Sequence, residues 1–160
     1  MTTSRILPEI RRLLSEQLEG TRRLNGLLEE EHAALARLES ATVEELAAEK
    51  QRELEALEIR EHERLRLLAA AGYAPDQAGM TAFLHGHDPH GELTRQWEAL
   101  LEEVRRCRQA NRRNGGILEI SRARIQQALE ILRGQLPAAG GYGPKGKSVG
   151  YPSRHTIAKA

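Results

Sequence analysis

Several stretches of this chain hold residue types capable of chemistry. Gly141-Tyr142-Gly143-Pro144-Lys145-Gly146-Lys147-Ser148 has the G-x-x-x-x-G-K-S spacing of a phosphate-cradling loop. That loop works when a strand precedes it and a helix follows, so that backbone amides and the helix N-terminus face the phosphates. Here a long helical pattern precedes it, Pro152 follows closely, and no acidic magnesium partner sits on an apparent strand. The match is read as a by-product of a Gly/Lys-rich tail. His85, His87 and His90, with Asp88, offer nitrogen and oxygen ligands. Without cysteine partners this is a poor zinc pattern, and solvated loop histidines are expected. Glu29 and His32 form one Glu-x-x-His pair on a helical stretch; a di-iron bundle needs a second pair and two further inward glutamates, and no second pair occurs. Glu29, Glu30, Glu31 and His32 are therefore expected mostly on a solvated face.

The single cysteine, Cys107, falls on an apolar helical row with no suitable histidine nearby in sequence, so it reads as a small buried hydrophobe rather than a nucleophile. Arg105, Arg106, Arg108, Arg112 and Arg113 make a basic run. Nucleic-acid binding calls for a concentrated positive field and stacking aromatics, whereas Glu98, Glu102, Glu103 and Glu119 dilute this one and supply intrahelical pairs. No catalytic constellation remains. The expectation is a protein that is not an enzyme, takes no cofactor or metal, and binds no nucleic acid.

The elements that would position these residues are helical. Ala, Glu, Leu, Lys and Arg make up more than half of the 160 residues, with a formal net charge of +1. Aromatics are only 3% of the chain, which favours a narrow aliphatic seam over a thick core. No apolar run of membrane-spanning length occurs and the N-terminal residues lack an apolar signal core, so a cytoplasmic protein is expected.

The first helix is expected over about 8–38, with Pro8 at its first turn. Leu7, Leu14, Thr21, Leu28 and Leu35 form one heptad row; Ile10, Gln17, Leu24, Glu31 and Leu38 form a second. Gly20 and Gly26 soften its centre. Thr42 and Glu45 read as a capping box opening a second helix over about 43–71, which Gly72 ends. Leu46, Leu54, Leu57, Leu65 and Leu68 give its apolar stripe, with Lys50 and Glu61 on the same face. The short connection makes these two helices an antiparallel hairpin. Residues 73–91 carry Pro75, Pro89 and several glycines and are expected as a loop, with at most one helical turn around Thr81–Leu84. A third helix follows over about 92–136, with Leu93, Trp97, Leu100, Val104, Cys107, Asn111 and Asn114 on its seam and Gly115-Gly116 as a candidate kink. The fold class is thus all-α: a long antiparallel hairpin plus a third long helix in an elongated three-helix coiled-coil-like bundle. Residues 1–136 form one helical domain, and 137–160 a flexible basic tail.

The back half of the third helix is apolar around a wide arc: Ile117, Leu118, Ile120, Ile125, Ile131 and others. Two readings stay open. These side chains complete the chain's own bundle or a homodimer, as in a structural coiled-coil scaffold, or they receive a partner's amphipathic helix.

The ordered set LLEEEHAALARLE, ELAAEKQRELEAL with Lys50, RLLAAAG, CRQANRRNGGILE and GYGPKGKS resembles the FlgN family of flagellar export chaperones over nearly the whole chain. The most telling part is Asn111-x-x-Asn114-Gly before an apolar helix and a Tyr-Gly tail. The resemblance implies a cytoplasmic chaperone that binds the terminal helices of the hook–filament junction proteins FlgK and FlgL, keeps them from associating prematurely, and delivers them to the export-gate protein FlhA. It places client binding on Ile117, Leu118, Ile120, Ile125, Leu129, Ile131 and Leu132, and gate docking on Tyr142, with Tyr151 as the alternative. The histidine-rich 85–90 stretch and the long basic tail depart from the family pattern.

Overall fold

A computed structural model describes the backbone of residues 2–132 and the side chains of residues 2–117. Among them are four helices and no strand: α1 (Thr3–Ala36), α2 (Ser40–Ala70), α3 (Gln77–His87) and α4 (Glu92–Leu132). The chain divides into two units, Met1–Gly115 and Gly116–Ala160. In the second, the described backbone is the helical run of α4 to Leu132. The expected helix end at 136, the tail 137–160 and the Gly141–Ser148 motif lie outside the described residues.

Three long helices run up, down and up. Arg12–Glu63, Arg23–Glu53 and Glu31–Lys50 ion pairs set α2 antiparallel to α1. Arg11–Glu92, Asn25–Glu103 and Leu28–Asn114 contacts set α4 parallel to α1. The turn between α1 and α2 is a Schellman motif. Glu39 N–H donates to the Ala34 carbonyl and Leu38 N–H to that of Leu35, which places Leu38 at a left-handed φ of 60°. Leu38 is therefore 79% exposed rather than part of the seam. The same motif closes α2, with Tyr73 N–H on the Leu68 carbonyl and Gly72 at φ 87°, as expected of a glycine stop.

Three local expectations are corrected. Helix α1 starts at Thr3, so Pro8 lies inside it; Ile6, fully buried, holds the turn ahead of the proline in the core. The Thr42–Glu45 capping box does not form, because the Schellman turn leads straight into α2 at Ser40 and puts Thr42 inside the helix. The 73–91 segment is not a loop with one turn: it contains the eleven-residue α3. Asp76 caps α3 by accepting from Gly79 N–H at 2.8 Å. Met80, with Phe83 and Leu84 one helical turn on, is buried on the same face as both. Gly79 is required by fit, since a Cβ there would lie 1.8 Å from the Ala74 carbonyl oxygen.

The core has two parts. The larger gathers Ile6, Ile10, Leu13 and Leu14 of α1, Leu67 and Leu68 of α2, all of α3's buried face, and Leu93, Trp97 and Leu100 of α4. Tyr73 packs edge-on against Phe83, centroids 5.4 Å apart. The smaller holds Leu24, Leu28 and Ala110, with Leu57 and Cys107 packed against it. Between them α1 and α2 approach closely at Gly20, where a Cβ would meet Leu57 at 2.8 Å. The glycine that reads as a soft centre in sequence is a buried crossing point.

Candidate docking surface

The heptad rows put polar side chains among the leucines of α1, and the bundle satisfies them. Thr21 Oγ1 donates back to the Gln17 carbonyl at 2.7 Å. Gln17 Nε2 donates to Glu61 at 2.9 Å, and its Oε1 accepts from Arg64 Nε at 3.0 Å. The buried Arg64 guanidinium also lies over the Trp97 ring, 4.7 Å from its centroid. This joins all three long helices in the thick part of the core.

A second polar junction closes the thin part. Glu31, 2% exposed, accepts from Lys50 Nζ at 2.7 Å and from Asn114 Nδ2 at 2.9 Å. Asn114 Nδ2 also donates to the Leu28 carbonyl at 2.8 Å. One carboxylate thus clasps α2 and α4 to α1, immediately before Gly115. The expectation of a mostly solvated 29–32 stretch fails at Glu31, whose place on the second heptad row buries it. Glu29 is exposed as expected and pairs with Arg113 across to α4 at 3.2 Å.

Between the clasp and the thick core, α2 and α4 part over α1 and leave a groove of about 320 Å³. Leu24 and Leu28 floor it, Leu54 and Leu57 line it from α2, and Val104 and Cys107 line it from α4. Burial pushes the Cys107 thiol above its ordinary pKa, while Lys50 and Arg108 pull partly the other way. Such a thiol is a weak nucleophile near neutrality.

The other residues singled out in sequence fall apart in space. His85 and His90 are exposed, while the His87 ring packs on Phe83 with Nε2 3.3 Å from the Tyr73 hydroxyl. Among the described residues no group of three histidine, cysteine or acidic side chains is placed to hold a metal. Asp88 instead joins α3 to α4, accepting from the Thr94 amide at 2.7 Å and its hydroxyl at 2.8 Å. Burial opposes ionisation there, but these bonds and the amides of Leu93 and Glu92 outweigh it and hold the carboxyl below its ordinary pKa. In the basic run, Arg105 and Arg106 are paired with Glu102 and Glu103. No described helix is long and apolar enough to cross a membrane.

Of the expected client-binding residues, Ile117 is half-buried. Leu118, Ile120, Ile125, Leu129, Ile131 and Leu132 have helical backbone, but their side chains lie outside the described residues, as does Tyr142 entirely. Sequence reasoning missed the clasp. Its signal was three polar residues, Glu31, Lys50 and Asn114, each placed on an apolar row of its own helix.

A family model described as FlgN protein matches residues 1–150. A solved structure from Pseudomonas aeruginosa, provisionally described as a flagella synthesis protein FlgN, is 32% identical, with a TM-score of 0.64; the match covers 69% of this chain and 87% of that one. No curated protein sequence matches the chain.

Proposed function

The chain belongs to the FlgN family, with a role in flagellar assembly, and from that premise we propose that it is an export chaperone for the hook–filament junction proteins FlgK and FlgL. The single observation that carries this reading is the family match, which spans both the three-helix unit and the residues proposed to act, 117–142.

The mechanism is one of covering and release. Junction-protein ends built to form coiled coils carry apolar stripes, and such stripes exposed in an unassembled subunit invite association. On this reading the run Ile117, Leu118, Ile120, Ile125, Leu129, Ile131 and Leu132 forms a complementary stripe that hides the client's terminal helix. Tyr142 then acts as an aromatic anchor for the export-gate protein FlhA.

Co-purification tests each step. The full chain should retain FlgK and FlgL from extract, and Ile125→Asp with Leu129→Asp should abolish retention. Deletion of residues 137–160 should remove FlhA binding while client binding persists. A chain that self-associates and ignores both junction proteins would instead be a scaffold, and the reading would be withdrawn.

A further inference from the structure

The middle of α2 is thinly covered. Between Leu46 and Arg64 none of its residues is buried, and Leu54 is 46% and Ile59 68% exposed. At one end of the bundle α3 serves as a fourth helix and seals the core with Met80, Phe83 and Leu84. Further along nothing takes that place among the described residues, and the groove over Leu24 and Leu28 lies between α2 and α4. Its long walls are aliphatic, and its two charged lining residues, Lys50 and Arg108, are both cations.

Those cations are not equivalent. Lys50 is already engaged by Glu31. Arg105, Arg106 and Arg113 are ion-paired, whereas Arg108 and the exposed Arg112, one turn on, have no ion-pair partner among the described residues. Two unmatched guanidiniums a turn apart beside an aliphatic trough specify an occupant: a helix with aliphatic residues facing in and carboxylates a turn apart along one flank.

We propose that the groove between α2 and α4 is a second client seat, taken by an amphipathic helix whose acidic flank meets Arg108 and Arg112. This rests on the chaperone reading and adds to residues 117–132 a site inside the Met1–Gly115 unit. Aliphatic side chains laid on Leu54, Leu57 and Val104 supply the affinity. The arginines set the direction and register of the incoming helix.

The experiment uses the full chain with purified FlgL as probe, followed by titration calorimetry and by thiol labelling of Cys107. Because Cys107 is this chain's only cysteine and lines the groove, label carried by this chain, read by mass, reports on that site. Labelling is run at alkaline pH, where the raised thiol ionises. FlgL should slow labelling about tenfold or more, and Leu54→Asp and Arg108→Glu should each weaken FlgL binding about tenfold. Arg108→Glu should also reduce the salt dependence of binding. Both positions are exposed, so circular dichroism should show helicity unchanged. If the wild-type chain binds FlgL but neither substitution weakens it and Cys107 stays reactive, the groove proposal is overturned and the chaperone reading stands. If labelling slows with the chain's own concentration and no FlgL present, a second copy fills the groove and the proposal is wrong. If no junction protein binds at all, the chaperone reading falls and takes this one with it.

Discussion

Removing the Glu31 carboxylate should unlock the thin end of the three-helix unit. The side chain is 3% exposed and takes the Lys50 ammonium at 2.7 Å and the Asn114 amide at 2.9 Å. Were this pair on the surface, its loss would cost about 0–1 kcal/mol. Buried, it strands a cation and one amide N–H, and breaking such a pair costs about 3–5 kcal/mol. Lys50 is 17% exposed and can turn its ammonium toward water, so Glu31→Ala should fall at the lower limit, about 3 kcal/mol. Lys50→Ala should cost at least as much, because the carboxylate it leaves behind has no route to solvent. Replacing both by alanine should cost clearly less than the two single losses added, because neither partner is then left unpaired. Urea unfolding followed by far-UV circular dichroism measures all four chains. A Glu31→Ala loss below about 1 kcal/mol, or simple additivity in the cycle, would refute the clasp as a buried network.

Phe83→Ala, at a fully buried site, should cost about 3–5 kcal/mol and abolish hydrogen-exchange protection across α3, while α1 and α2 amides away from it keep theirs. Asp88→Ala should cost about 1 kcal/mol by freeing α4's first amides. Because the folded carboxyl titrates below its unfolded value of about 3.9, its contribution is complete above that pH and is lost as pH falls through the folded pKa. The stability gap between wild type and Asp88→Ala should therefore close in acid, as urea midpoints at a series of pH values would show. Leu38→Gly should raise stability by up to about 1 kcal/mol, read as a higher urea midpoint, by relieving a left-handed residue that is mostly exposed. An unchanged or lower midpoint would count against strain at that turn.

Sequence periodicity by itself determined the class of the fold, the α1–α2 hairpin, the Gly72 stop and the inward rows of α1, but not the inward row of α2, where the expected Leu54 is 46% exposed and Arg64 and Leu67 are buried instead. Gln17, Thr21 and Asn114 are buried on the rows where the apolar spacing puts them, whereas Glu31, expected on a solvated face, is buried by that same spacing. Membership in the family was legible too, since it rests on an ordered set of short segments rather than on contacts. The tertiary structure alone decided the rest. Local breakers hid α3, which exists because Phe83 and its neighbours have a core to enter and because Gly79 fits against Ala74. Pro8 reads as a start signal, yet burial of Ile6 outweighs the lost hydrogen bond and carries the helix past it. The clasp joins Glu31 to Asn114 across 83 positions, and the groove depends on how far α2 and α4 stand apart. Periodicity reports that a helix face is apolar. The axial register of the helices and the spacing between them decide which side chains meet across that face and where it is left uncovered.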